Sequence, residues 1–175
     1  MVVGRRRHRV DRIADAWLGR RRNGASSAIY GTILATAVTV ALSEVRALGP
    51  GKLMIAVGAT AIIFWLTHAY ADLMGERAGN HDASSWRSPK TVLADEWPMV
   101  ESALPPIVAL GLGAFHVLSR DAAVSAALAV ALAELTLWGY VAGRRMGAGI
   151  AGAASAALLN GLLGGLIVAL KSLIH

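Results

Sequence analysis

The 175-residue sequence has no cysteine, which excludes disulfides, thiolate metal centres and cysteine nucleophiles. Charge is scarce as well: Asp, Glu, Lys and Arg make up 16% of the chain against 55% hydrophobic residues, and mean hydropathy is +0.54. Soluble domains carry about 25% charged residues, so this composition argues against a water-soluble domain and for a single polytopic membrane domain. HExxH, P-loop and dinucleotide fingerprints are absent, and the Ser84-Ser85 pair has no identifiable base, so no enzyme activity is expected. The net charge of +6 is accompanied by no nucleic-acid recognition motif, and nucleic acid is not an expected partner.

What is abundant is small and apolar. Nineteen glycines and many alanines favour close helix packing where no hydrophobic effect drives helices together. Five apolar blocks of spanning length lie at about residues 25–43, 53–73, 97–119, 122–142 and 147–170. Residues 1–24 form a basic leader containing Arg5, Arg6, Arg7, Arg9, Arg12, Arg20, Arg21 and Arg22. Within it Val10, Ile13, Ala14, Trp17 and Leu18 share one helical face, the pattern of an amphipathic helix lying in the membrane interface against anionic headgroups. A flexible basic tail is the alternative. A cleaved signal peptide fits less well, because leader and apolar run are both long for one.

The expected fold is therefore all-α: a polytopic integral membrane protein of five transmembrane helices, amino terminus cytoplasmic, with residues 74–95 as a polar cytoplasmic loop. Orientation follows from charge. Placing the amino terminus inside puts thirteen Lys and Arg on the cytoplasmic side, against Arg46, Lys52, Arg120 and Lys171 outside. A bacterial-type inner membrane is the expected location.

Two features are unusual for such a bundle. The third block contains Pro105 and Pro106, which have no N–H to offer the carbonyls of Glu101 and Ser102, so a broken helix is expected there. A helix starting at Pro105 is the alternative, and it would be short for a bilayer core of about 30 Å. The second feature is a set of ionisable residues at membrane depth: an acidic group there costs about 2.5 to 3.5 kcal/mol on insertion scales. His68, Asp72 and Glu76 are spaced four apart on one face of the second block, and depth at about 1.5 Å per residue puts His68, Asp72, Glu101 and Glu134 all in the cytoplasmic half. These four are the candidate contacts for a transported divalent cation, Fe(II), Mn(II) or Zn(II), or for protons, since imidazole and carboxylate without sulfur suit those metals better than copper. Glu44 and His116 lie toward the outer face and Asn160 near the middle of the last block. The competing expectation is a non-transporting membrane protein that binds lipid or a protein partner through its basic leader and loop. The Gly161-xxx-Gly165 spacing is read as a packing face.

The stretch 127–174, with Leu137-Trp138-Gly139-Tyr140-Val141-Ala142-Gly143-Arg144-Arg145 and the Gly/Ala-rich helix after it, resembles the closing hairpin of the vacuolar iron transporter family. The basic leader, five spans and cytoplasmic insertion are similar to that family's plan. The resemblance implies a membrane-embedded homodimer exporting Fe(II) or Mn(II) in exchange for protons, with a pore between subunits. The chain carries Tyr30-Gly31 where that family has Asp-Gly, and His68-Ala69-Tyr70 where it has Gly-Glu-Tyr. Two family ligands are thus replaced, with His68 and Asp72 as the available substitutes.

Overall fold

A computed structural model describes residues 4–79 and 86–173, with side chains described for 24–79 and 86–169. The described chain is all helix and turn: α1 (Gly4–Ser43), α2 (Pro50–Gly79), α3 (Pro89–Glu96), α4 (Pro98–Glu101), α5 (Leu104–Ala114), α6 (Arg120–Arg145) and α7 (Ile150–Leu173). Four stretches are long and apolar enough to cross a membrane, Gly24–Ser43, Pro50–Gly79, Arg120–Arg145 and Ile150–Ala169, which makes this a multi-pass membrane protein. Their outward faces agree. Ile55, Ile63, Leu66 and Tyr70 on α2, and Leu158, Leu159, Leu162 and Leu166 on α7, are all exposed, an apolar surface far larger than a protein in water leaves uncovered.

Two expectations need correction. The leader is not a helix separate from the first span, because α1 runs unbroken from one into the other. The amphipathic pattern at Val10 to Leu18 lies outside the residues whose side chains are described. The polar loop is also shorter than residues 74–95, because α2 continues to Gly79 and α3 occupies Pro89–Glu96. The third block, expected to be broken at its prolines, is indeed not one helix. Proline stands in the first turn of each of α3, α4 and α5, where a missing N–H breaks no intrahelical bond, so each proline starts a new segment. At 11 residues α5 is only about 16 Å long, too short to cross alone. The three segments nevertheless keep one inward stripe, Val92, Glu96, Met99, Ala103, Pro106 and Leu110, at the 3.6-residue period of a single helix.

α1 is the central element, packing against α2, α3, α4, α6 and α7, while α5 lies between α2 and α6 and α7 lies along α6. The inward face of α1 is made of small residues: Gly24, Ala25, Ser27, Ala28, Gly31, Thr32, Ala35, Thr36, Thr39 and Ser43. Close approach is greatest at Gly31, where an added Cβ would run into the Met99 carbonyl oxygen of α4 and Ser102 Oγ just after it. α6 and α7 meet closely at Gly139, where an added Cβ would lie 2.6 Å from the Ala156 carbonyl oxygen, and at Gly143, where it would lie 2.7 Å from Ala153 Cα. Of the glycines read as a packing face, Gly161 meets Thr136 on α6, whereas Gly165 has no neighbour within 4 Å and Gly164 takes the contact with Leu132 and Leu135 instead.

The far end of the bundle is tied by Arg120. Its Nη2 donates to the carbonyls of Ser43 (2.7 Å) and Val45 (3.2 Å) and its Nε to that of Leu48 (3.0 Å), so one guanidinium caps the negative end of α1 and holds the following turn. Arg120→Lys is expected to lower the thermal midpoint of detergent-solubilised protein by several degrees and Arg120→Ala by more, since an ammonium cannot reproduce the planar fork. Charge-assisted hydrogen bonds at a partly exposed site are worth about 1.5 kcal/mol each at most. The adjoining α5–α6 turn places His116, read from the sequence as an outer polar residue, at φ 59, the left-handed position that ends α5.

Candidate functional site

The only buried acid among the described residues is Glu96, not one of the four proposed from the sequence. It is 3% exposed, at the last position of α3, on the same inward stripe as Val92. Ser27 Oγ of α1 donates to Glu96 Oε2 at 2.6 Å. His68 Nε2 of α2 lies 3.7 Å from the same oxygen. Three helices therefore converge on one carboxylate oxygen. The imidazole side chain is 44% exposed, so His68 links the buried acid to the surface, and the Tyr30 ring stacks on it with centroids 5.7 Å apart.

The position of α3 decides whether this cluster exists, and local chemistry fixes it at both ends. Ser88 caps the helix, its Oγ accepting from Thr91 N–H, and Pro89 presets the first turn. Trp65 Nε1 donates to the Leu93 carbonyl at 2.9 Å, and its ring meets Trp97 edge-on with centroids 5.1 Å apart. Ahead of α3, Arg87 reaches three carboxylates: Glu76 at 3.2 Å, Asp95 at 3.5 Å and Asp72 at 3.8 Å. A lone exposed ion pair contributes little, but one guanidinium shared by three acids from two segments pins the returning chain to the end of α2.

The four residues expected to share one site take different roles. His68 faces Glu96. Asp72 is paired with Arg87. Glu101 is exposed, on the outer side of α4. Glu134 lies on α6 with Oε2 buried and without a protein hydrogen-bond partner, the one such side-chain atom among the described residues. Among the described residues no three His, Asp or Glu side chains gather where a metal ion could be held. Glu96 could have been found from the sequence by extending the Met99, Ala103, Pro106, Leu110 stripe backward past Pro98, which reaches it directly.

No known protein family, no curated protein and no solved structure matches the chain. The similarity to the vacuolar iron transporters thus rests on the residues quoted above.

Proposed function

We propose that the chain is a membrane transport protein that moves protons, taking them up at the Ser27, His68 and Glu96 cluster. One observation carries this reading: a carboxylate buried where α1, α2 and α3 meet lies 3.7 Å from a half-exposed imidazole. Imidazole is the side chain that exchanges protons near neutral pH. An acid inside a membrane bundle is expensive to keep and marks a proton relay more often than a scaffold. Chemistry favours the proton over a divalent cation, because the cluster offers one carboxylate, one hydroxyl and one imidazole, too few hard ligands for Fe(II) or Mn(II). The thirteen-to-four distribution of positive residues supports an amino terminus in the cytoplasm, five crossings with α3, α4 and α5 together making the third, and a cluster near the cytoplasmic face. A bacterial-type inner membrane and a homodimer belong to the same proposal.

The test is flux. Purified protein in sealed vesicles, with potassium and valinomycin setting the potential, should acidify the lumen at least tenfold faster than protein-free lipid. His68→Ala should cut the rate about tenfold while leaving thermal stability nearly unchanged. Parallel vesicles loaded with indicators for Mn(II), Fe(II) and Zn(II) should stay dark. Wild type no faster than lipid for protons would defeat the proposal and leave the lipid- or partner-binding protein, and metal uptake lost in His68→Ala would replace protons with a metal.

A further inference from the structure

Proton uptake depends on how the His68 ring is held, and no hydrogen bond holds it. Nε2 lies 3.7 Å from Glu96 Oε2, too long for a hydrogen bond. No other described residue bonds either ring nitrogen. The torsion that turns a histidine ring about its Cβ–Cγ bond is broad. Half a turn exchanges Nε2 for Cε1, and a carbon there has no proton to give. A quarter turn aims both nitrogens away from the acid.

What touches the ring is Tyr30. Reaching across from α1, it lies against two residues one turn apart on α2. Its ring centroid is 5.7 Å from that of His68 at an interplanar angle of 27°, and 6.4 Å from that of Phe64 at 42°. Both separations fall in the range of aromatic pairs in contact, about 4.5 to 7 Å. Among the described residues Tyr30 is the one ring stacked on His68, and its hydroxyl makes no hydrogen bond. The ring face is therefore what it brings to the site. Burial does not account for the aromatic, since Tyr30 is 45% exposed and leucine would cover the same seam.

A stacked neighbour opposes the quarter turn and leaves sliding within the plane free. An imidazole nitrogen gives and takes its proton in the ring plane, so fixing the plane fixes the direction in which Nε2 can bond. Within that plane Glu96 favours the flip that presents a nitrogen. Closing the 3.7 Å gap to a charge-assisted hydrogen bond of about 2.8 Å then takes a movement of roughly 1 Å.

Resting on the transport reading above, we propose that Tyr30 is a positioning residue for proton uptake: its ring, backed by Phe64, holds the His68 imidazole with Nε2 toward Glu96. In the transfer the Nε2–H bond of the protonated imidazole breaks and an O–H bond forms on Glu96 Oε2. Both groups end neutral. Tyr30 itself exchanges no proton.

The experiment compares Tyr30→Phe, which keeps the ring face, with Tyr30→Leu, which keeps apolar bulk without it. Two quantities are read: proton flux in sealed vesicles, and the NMR signals of the His68 ring protons in detergent, identified by their loss in His68→Ala. Tyr30→Phe should keep flux within twofold of wild type and the ring-current displacement of the His68 signals. Tyr30→Leu should lose that displacement and at least fivefold in flux, with a thermal midpoint close to that of wild type. Tyr30→Met serves if the leucine protein does not fold. Flux within twofold of wild type in Tyr30→Leu, while His68→Ala has lost it, overturns the positioning role and spares the uptake site. Equal loss in Tyr30→Phe overturns it too, because the hydroxyl would then be the cause. His68 signals unchanged in Tyr30→Leu would show that the rings do not stack. Wild type indistinguishable from lipid removes both readings.

Discussion

Vesicles containing Glu96→Gln protein are expected to pass protons no faster than protein-free lipid, a loss of at least tenfold if wild type conducts as proposed, with the fold intact. The amide is nearly the size of the carboxylate, and its oxygen can still accept from Ser27 Oγ, now 2.6 Å from Oε2. The NH2 can face His68. What glutamine cannot do is take up and release a proton, so the variant isolates that one capacity. Its structural cost is limited to the difference between a charge-assisted and a neutral hydrogen bond, about 1 kcal/mol. Glu96→Leu is a poorer test, since it leaves the buried Ser27 hydroxyl without its acceptor and would lower stability as well. Ser27→Ala should be milder than either: the carboxylate stays and only one hydrogen bond to it is lost. Full proton flux through Glu96→Gln vesicles would mean that the buried carboxylate is a structural tie between α1 and α3.

Most of the scaffold was readable from composition and period, because a bilayer imposes length and apolarity on any segment that crosses it. The first, second, fourth and fifth blocks fall on the four stretches long and apolar enough to cross a membrane, although α1 extends back to Gly4 and α2 on to Gly79. The site was less readable, because depth is only one of two coordinates. Glu101 was placed by depth beside His68. Around the helix axis, however, position 101 points away from the stripe that contains Glu96 and Met99, so it faces outward. Glu96 itself was hidden by its neighbours: a run ending Ala94-Asp95-Glu96-Trp97-Pro98 has the composition of a loop. Only the packing of Val92 and Glu96 against α1 and α2 reveals a core position. The Asp72 to Arg87 pair depends on how the chain returns after α2, which no local pattern encodes.

Gly31→Ala is expected to destabilise the protein by about 1 to 3 kcal/mol, the usual range for overpacking, and Gly31→Leu to prevent monodisperse purification altogether. The methyl group would collide with the Met99 carbonyl and with Ser102 Oγ, whose own bond to that carbonyl is 3.0 Å long. A flexible side chain could rotate away from a methyl group, but a backbone carbonyl cannot. Here it belongs to a four-residue helix flanked by Pro98 on one side and Pro105 and Pro106 on the other, which restrict how α4 can shift. Moving α4 away from α1 would also draw away Glu96, one turn earlier on the same stripe, and lengthen its bond to Ser27. Gly31→Ala should therefore reduce proton flux as well as thermal stability. Gly165→Ala and Gly75→Ala provide the contrast: nothing lies within 4 Å of either added Cβ, so both should leave flux unchanged and gain up to about 1 kcal/mol of helix propensity. Thermal unfolding of the three proteins in one detergent reads the difference directly. A Gly31→Ala midpoint equal to that of Gly165→Ala would show that α4 does not press on α1, and the contact that brings Glu96 within reach of Ser27 would lose its frame.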